Sequence, residues 1–129
     1  PFTLVTIDLN EEKIASFSEF IWDGLAKHYR DLNTNKAYIW SSATLYSEAI
    51  RAKRKSWFEN FLDKNGENIA ANDIFDFHSG EHTTDQTNNL VMERENELKT
   101  VSITQVQYQN GLLMNYFDLL NKTQSKKRI

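Results

Sequence analysis

Two adjacent serines, Ser41 and Ser42, are the first residues of this chain whose types could do chemistry. A serine hydroxyl can act as a nucleophile, stabilise an oxyanion or contact a ligand. No Gly-x-Ser-x-Gly sequence surrounds the pair, and no Ser/His/Asp set can be assembled from the sequence alone. Serines are also common on the solvated face of a sheet. Two interpretations therefore stay open: a functional site, or an ordinary solvated strand.

Two histidines, His78 and His82, are four residues apart, which is a metal-ligand spacing if both lie on one helix. Gly80 lies between them and predicts that the helix ends before His82 is reached. No cysteine supports a metal site, because the chain has none. The pair is therefore interpreted as surface-loop histidines in preference to a metal site, and the sequence predicts no metal and no cofactor.

A basic run covers residues 51–55, with Arg54 at the edge of an apolar stripe. Basic residues beside aromatic ones can indicate nucleic-acid binding. The alternative is the solvated face of an amphipathic helix. The net charge of the whole chain is −3, which favours the second interpretation and predicts no nucleic-acid partner.

The element that must position these residues is a strand followed by a helix. Residues 38–46 are rich in aromatic and β-branched types, which predicts a strand that runs through both serines. Ser47 is expected to cap a helix over residues 48–62, and Gly66 is expected to end it. The apolar residues of this helix share one face: Ile50, Trp57, Phe58, Phe61 and Leu62.

The rest of the chain has the pattern of antiparallel hairpins and one short helix. We expect strands over residues 2–9, 14–22 and 25–32, with turns at 10–13, 23–24 and 33–36. A helix capped by Asn72 is predicted to run through His78, followed by a loop over residues 79–88. A three-strand meander is then predicted over residues 89–94, 98–108 and 112–120, with turns at 95–97 and 110–111 and a frayed tail over residues 121–129. The fold class is α+β with antiparallel sheets.

The bulk composition bounds the class of protein. A chain of 129 residues with 40% apolar and 12% aromatic residues suits one folded domain over residues 1–129, or a half-domain. No apolar run approaches the roughly 20 residues that cross a bilayer, and no signal peptide is visible, so we expect no membrane span. The absence of cysteine predicts a cytoplasmic protein. The chain opens with Pro1 and is expected to be part of a longer protein.

The order of several short stretches resembles the NRDE family, which is named for an Asn-Arg-Asp-Glu motif and includes transport-and-Golgi-organisation proteins. The likeness covers nearly the whole chain, but only the C-terminal half of the family's sequence. The stretches that carry it are Pro1-Phe2-Thr3-Leu4, Trp22-Asp23-Gly24, Ile39-Trp40-Ser41-Ser42-Ala43-Thr44-Leu45-Tyr46, Arg51 with Arg54, Trp57-Phe58 and Phe61-Leu62, Phe77-His78, Asn89-Leu90-Val91-Met92-Glu93-Arg94, Thr100-Val101-Ser102-Ile103-Thr104, and Met114 with Tyr116, Asp118 and Leu119.

This resemblance implies a fold like that of N-terminal-nucleophile hydrolases, with two stacked antiparallel sheets between helix layers. It implies amide hydrolysis by a cysteine that lies upstream of this chain; the alternatives are non-catalytic binding of haem or acyl ligands, and a structural interaction module. In the superfamily an asparagine would fall near Ser42 and an arginine near residues 85–87, and this chain has neither there.

The implied partners are the missing N-terminal half and a second copy of the chain. The candidates for lining the ligand cleft are Trp40, Ser41, Ser42, Asn89 and Arg94, with the loop over residues 79–88 at its mouth.

Overall fold

The first sheet is built by the β-branched and aromatic residues at the start of the chain. In the computed structural model, which describes residues 1–9, 15–94, 98–108 and 111–129, it contains β1 (Phe2–Leu9), β2 (Ala15–Trp22) and β3 (Lys27–Asp31). All neighbours are antiparallel in the order β1-β2-β3. The predicted hairpin is confirmed over these ranges, and its predicted turn at residues 10–13, with residue 14, lies outside the described residues.

β3 is shorter than the predicted strand over residues 25–32. The carboxylate of Asp23 accepts hydrogen bonds from the backbone N–H groups of Leu25 at 2.8 Å and Ala26 at 2.7 Å. These bonds hold both residues in the turn, so pairing begins only at Lys27. The predicted turn at Asp23-Gly24 is confirmed, and Gly24 has the positive φ of 104° that such a turn needs.

The strand predicted over residues 38–46 does not form. Residues 38–40 instead pack an aromatic cluster in which Phe17 lies 5.8 Å from Tyr38 and 6.3 Å from Trp40, between ring centroids. Further along, the Ser42 hydroxyl accepts from the Leu45 N–H, and the Ser42 carbonyl from the Tyr46 N–H, which closes a turn. The aromatic residues that suggested a strand serve packing in place of strand pairing.

Two helices follow. α1 (Glu48–Asn65) begins after Ser47, whose hydroxyl accepts from the Ile50 N–H, and ends at Gly66 with φ of 62°. Both predicted caps are confirmed, and the helix runs three residues beyond residue 62. α2 (Ala71–Ser79) begins after Ala70, so the prediction of Asn72 as its cap was wrong. The carboxylate of Asp73, three residues into the helix, accepts from the Ala70 N–H at 2.8 Å and so stabilises the start of α2 from the other direction.

The second sheet contains β4 (Ser102–Tyr108), β5 (Leu112–Asp118) and β6 (Thr123–Arg128), antiparallel in that order. Two of the three strands predicted for the meander are found, as β4 and β5. The third strand of the sheet follows them in the chain, whereas it was predicted to precede them. Residues 89–94 form no strand, and the only ladder contact described there is the bridge between Glu93 and Lys99. Conversely, β6 occupies the tail that was predicted to be frayed. The predicted turns at 95–97 and at residue 110 lie outside the described residues.

β6 forms because the turn before it is well defined. The Asp118 carboxylate accepts from the backbone N–H groups of Leu120 and Asn121, both at 2.9 Å. Lys122 adopts the left-handed φ of 54° and returns the chain along the edge of β5. The pairing uses backbone groups, so the polar side chains of residues 123–128 do not oppose it.

α2 packs on the second sheet. The ring centroids of Phe75 and Phe117 are 4.1 Å apart, and the Gln105 side chain donates to the Ala71 carbonyl at 2.6 Å. The described residues thus form an α+β structure with two three-stranded antiparallel sheets and two helices. The chain divides into two compact units, Pro1–Trp40 and Ser41–Ile129, and each sheet belongs to one of them.

Candidate functional site

Tyr46 is the centre of a cluster of charged side chains in the second unit. The guanidinium carbon of Arg54 lies 3.7 Å from the centroid of the Tyr46 ring, and that of Arg94 lies 5.3 Å from it. Tyr46 is 8% exposed and Arg54 is 6% exposed. Two guanidinium groups beside one buried ring form a pair of cation–π contacts, which are stronger when water is excluded.

α1 carries Arg54 into the interior. Arg54 lies four residues after Ile50 and four before Phe58, so it shares the helix face of the apolar stripe. Its Nε and Nη2 donate to the Asn88 carbonyl at 3.4 and 3.3 Å, and its Nη2 also donates to the Asn89 carbonyl. The prediction that residues 51–55 form only a solvated face was wrong for Arg54, whose side chain is buried. Its place at the edge of the stripe was the signal that could have revealed it.

The charge of Arg54 has no acidic partner among the residues that the structure describes. Its burial lowers the pKa of Arg54 below the usual arginine value, while Tyr46 acts in the opposite direction. Carbonyl oxygens and an aromatic ring therefore stabilise this guanidinium in place of a carboxylate.

Arg94 joins two turns that are far apart in sequence. Its Nε donates to the Thr87 carbonyl at 3.1 Å, and its Nη2 donates to the Leu45 carbonyl at 3.2 Å. The first turn contains Ser42, and the second covers residues 85–88. These are the two places where the family resemblance implied an asparagine and an arginine. A guanidinium therefore lies beside residue 87, although it is carried by residue 94.

Asn89 is the most completely buried of the predicted cleft residues, with 1% of its surface exposed. Its Oδ1 accepts from the His82 N–H at 2.9 Å, and its Nδ2 donates to the Thr83 carbonyl at 3.3 Å. The amide is thus used inside the loop. Asn89 therefore holds the shape of the loop, and its place in a ligand cleft stays a prediction.

Asp85 organises the other end of the same loop. Its carboxylate accepts from the Thr87 hydroxyl at 2.5 Å, from the Thr87 N–H at 3.0 Å and from the Asn88 side chain at 2.6 Å. These bonds, led by that from Thr87, lower the pKa of Asp85. The predicted loop begins at Gly80, since Ser79 is the last residue of α2, and hydrogen bonds order it.

The other three candidates for the cleft are Ser41, Ser42 and Trp40, and they lie in different surroundings. Ser41 is half-buried, and the Ser42 hydroxyl is exposed and lies 3.2 Å from the Thr44 hydroxyl. Trp40 belongs to the first unit, where its indole N–H donates to Glu19. Arg94 thus bonds to Leu45, in the turn that contains Ser42, and to Thr87, whereas the indole N–H of Trp40 is engaged within the first unit.

The two histidines make separate contacts. His78 Nδ1 lies 2.9 Å from the Ile74 carbonyl, and His82 Nε2 lies 2.7 Å from the Phe77 carbonyl. Over the described ranges, no group of three or more His, Cys, Asp or Glu side chains could hold a metal ion. No serine or threonine hydroxyl bonds to a histidine ring in that same part of the chain. The geometry therefore offers donors and cations for binding, without a nucleophile–base pair.

Neither α1 nor α2, the helices of the described residues, has the apolar length to cross a bilayer. Comparison of the chain with protein-family models, with curated proteins and with solved structures gave no match.

Proposed function

We propose that this chain is the C-terminal part of an NRDE-family protein that resembles a cysteine N-terminal-nucleophile amide hydrolase. In this proposal, residues 42–46 and 85–94 supply one wall of the ligand cleft. The observation that carries it is the pair of bonds from Arg94 to the Leu45 and Thr87 carbonyls, which joins the two positions where the resemblance implies functional side chains.

Arg94 has donor groups left for a ligand. Its Nε and Nη2 are engaged, but its Nη1 takes part in no hydrogen bond among the described residues, and the side chain is half-buried. A guanidinium held in this way can donate to a carbonyl or carboxylate oxygen without first being ordered. The proposed role of Arg94 is therefore to bind and orient the acyl group of a substrate.

The covalent step needs a group that this chain does not contain. A thiolate would attack the substrate carbonyl, its own α-amine would accept the thiol proton, and donors in the cleft would stabilise the tetrahedral oxyanion. The carbon–nitrogen bond would then break, the α-ammonium group would return its proton to the leaving amine, and water would hydrolyse the resulting thioester. Because the sequence has no cysteine, the thiol must come from outside it. Intact mass and N-terminal sequencing of the native protein would identify such a residue.

The proposal is tested by acylating the native protein with an activated ester and following the modified cysteine by mass spectrometry. We expect Arg94→Gln to slow acylation by about tenfold or more, since a donor to the acyl oxygen is lost. The matched control is Arg128→Gln, the same substitution at an exposed arginine of β6. Equal acylation rates in the two variants, or no acylation of the unaltered protein, would contradict the proposal.

A second candidate function is non-catalytic binding of a haem or acyl ligand. It is favoured by the internal use of the Asn89 amide, which is not free to stabilise an oxyanion. The discriminating measurement is binding of haem or of a fatty acid after the upstream cysteine is replaced. Binding that survives the replacement supports this second function, and binding that is lost with it supports the first.

A further inference from the structure

The groove beside α1 and α2 is a separate feature of the second unit. It is open to solvent and has a volume of about 390 Å³. Aromatic residues from both helices line it together with His82, and charged residues lie at its rim. None of the residues that form the Tyr46 cluster lines this groove, so it is a different place on the molecule.

The aromatic lining is held in a defined arrangement. The rings of Trp57 and His82 are stacked, with centroids 5.2 Å apart and planes inclined by 14°. Phe77 lies 4.7 Å from His82 and 4.9 Å from Phe61. Because the Phe77 carbonyl can only accept, the proton at His82 Nε2 is donated to it, and this bond fixes the imidazole ring. The half-buried rings of Trp57, Phe61 and His82 line the groove, while Phe77 is only 5% exposed, and the π-electrons of an aromatic ring attract a cation.

The charges at the rim are unequal. α2 contributes Asp73 and Asp76, and α1 contributes Lys64. None of these three side chains forms an ion pair within the described residues. The last turn of α1 and the first turn of α2 both line the groove, so the partial charges of the two helix ends oppose each other, and the two carboxylates outnumber the one ammonium group. The groove thus has a net negative character.

The two carboxylates differ in what they already bind. Asp73 accepts from the Ala70 N–H at 2.8 Å and so stabilises the start of α2. The carboxylate of Asp76 is exposed and takes part in no hydrogen bond or ion pair in the described ranges. The exposed carboxylate of Asp76 is therefore available to a ligand that enters the groove.

We propose that this groove binds a small organic cation, an amine or quaternary ammonium group on an apolar body. The stacked rings contact the apolar body and the face of the cation, and Asp76 supplies the opposite charge. An anionic ligand would meet two carboxylates and one lysine, and a purely apolar ligand would leave the rim charges unused. This ligand class is independent of the proposed hydrolase-like function.

The test is a titration of the chain with benzyltrimethylammonium chloride at constant ionic strength, followed by NMR of the Trp57 indole and the His82 ring. We expect saturable shifts at both residues and little response at Trp22, which lies in the first sheet. Benzenesulfonate, which has a similar ring and the opposite charge, is expected to give no saturable shift.

Two variants with the same charge change sharpen the test. Asp76→Asn should weaken binding by about threefold or more, since an opposite charge near a cation–π site is lost. Asp63→Asn alters an exposed α1 residue outside the groove and should leave the affinity unchanged. Equal weakening in both variants, tighter binding of benzenesulfonate, or no saturable shift with the cation would overturn the proposal.

Discussion

The indole nitrogen of Trp40 donates a hydrogen bond of 2.5 Å to Glu19, a carboxylate that is only 4% exposed. The other carboxylate oxygen of Glu19 accepts from Arg30 Nε, also at 2.5 Å. The bond from Arg30 is the main cause that lowers the pKa of Glu19, and the bond from Trp40 adds to it. A buried carboxylate is tolerated here because two donors satisfy it.

This relationship predicts a pH-dependent effect of Glu19→Gln. The variant should lower the free energy of unfolding by about 1–3 kcal/mol at neutral pH, because the charge-assisted bond from Arg30 is lost. Since the folded-state pKa of Glu19 is lowered, its contribution is present above the unfolded-state pKa and disappears as the pH falls through the folded-state value. Urea unfolding at several pH values measures this. The control is Glu67→Gln, at an exposed position. If the difference in free energy of unfolding between Glu19→Gln and the unaltered protein stays constant with pH, the charge of Glu19 does not contribute to stability.

Arg54 is predicted to be essential for the loop that carries Asn88 and Asn89. Arg54→Met keeps the apolar stem but leaves both carbonyls without their donor, which should lower the free energy of unfolding by about 3 kcal/mol. The N–H of His82, which depends on Asn89, should exchange with solvent faster. Thermal unfolding and hydrogen exchange measure the two effects.

The control for Arg54 is Lys55→Met on the same helix. Lys55 is exposed and pairs only with Glu59 at 3.7 Å, an interaction that contributes about 0.3–0.5 kcal/mol. If both variants lose equal stability, the buried bonds of Arg54 to the loop have no special role.

Asn89 is predicted to act through the fold of the loop. Asn89→Ala removes the acceptor for the His82 N–H and the donor to the Thr83 carbonyl, so it should lower the free energy of unfolding by about 2–4 kcal/mol. Asn72→Ala, at an exposed position of α2, should have almost no effect. Calorimetry of the two variants decides the matter, and a stable Asn89→Ala protein would mean that the loop is held by other bonds.

Lys122 provides a test of the last strand. Its φ of 54° is unfavourable for a residue with a side chain, so Lys122→Gly should raise the free energy of unfolding by about 0.5 kcal/mol. The same substitution within β6, Lys126→Gly, should lower it by about 1 kcal/mol, because glycine weakens the interior of a strand. If the tail were frayed, neither substitution would change the free energy of unfolding. Changes of opposite sign would therefore show that residues 123–128 are paired.

Ser42, Asn89 and Arg94 were selected from the sequence for a cleft, and that role stays a prediction. In the structure Arg94 bonds to the turn of Ser42 through the Leu45 carbonyl, whereas the Asn89 amide bonds inside its own loop. Tyr46 and Arg54 were not selected, although they form the centre of the cluster. The bonds from Arg54 and Arg94 reach carbonyls 34 and 49 residues away, and no local pattern records such distances.

The sequence by itself determined the elements whose signals are local. The β1–β2 hairpin follows from β-branched and aromatic residues, and α1 follows from the cap at Ser47, one apolar face and the glycine at residue 66. The two caps of α1 act through atoms three or four residues apart, so they do not depend on distant segments, and β2 is the next strand along the chain after β1.

Only the tertiary structure decided where pairing and burial occur. Residues 38–46 have strand-forming side chains but no ladder partner among the described residues, whereas residues 123–128 have polar side chains and pair along β5. A strand needs a free edge of backbone groups, and a buried guanidinium needs carbonyls from other segments. Both are supplied by distant parts of the chain. For this reason the sequence predicted neither β6 nor the burial of Arg54.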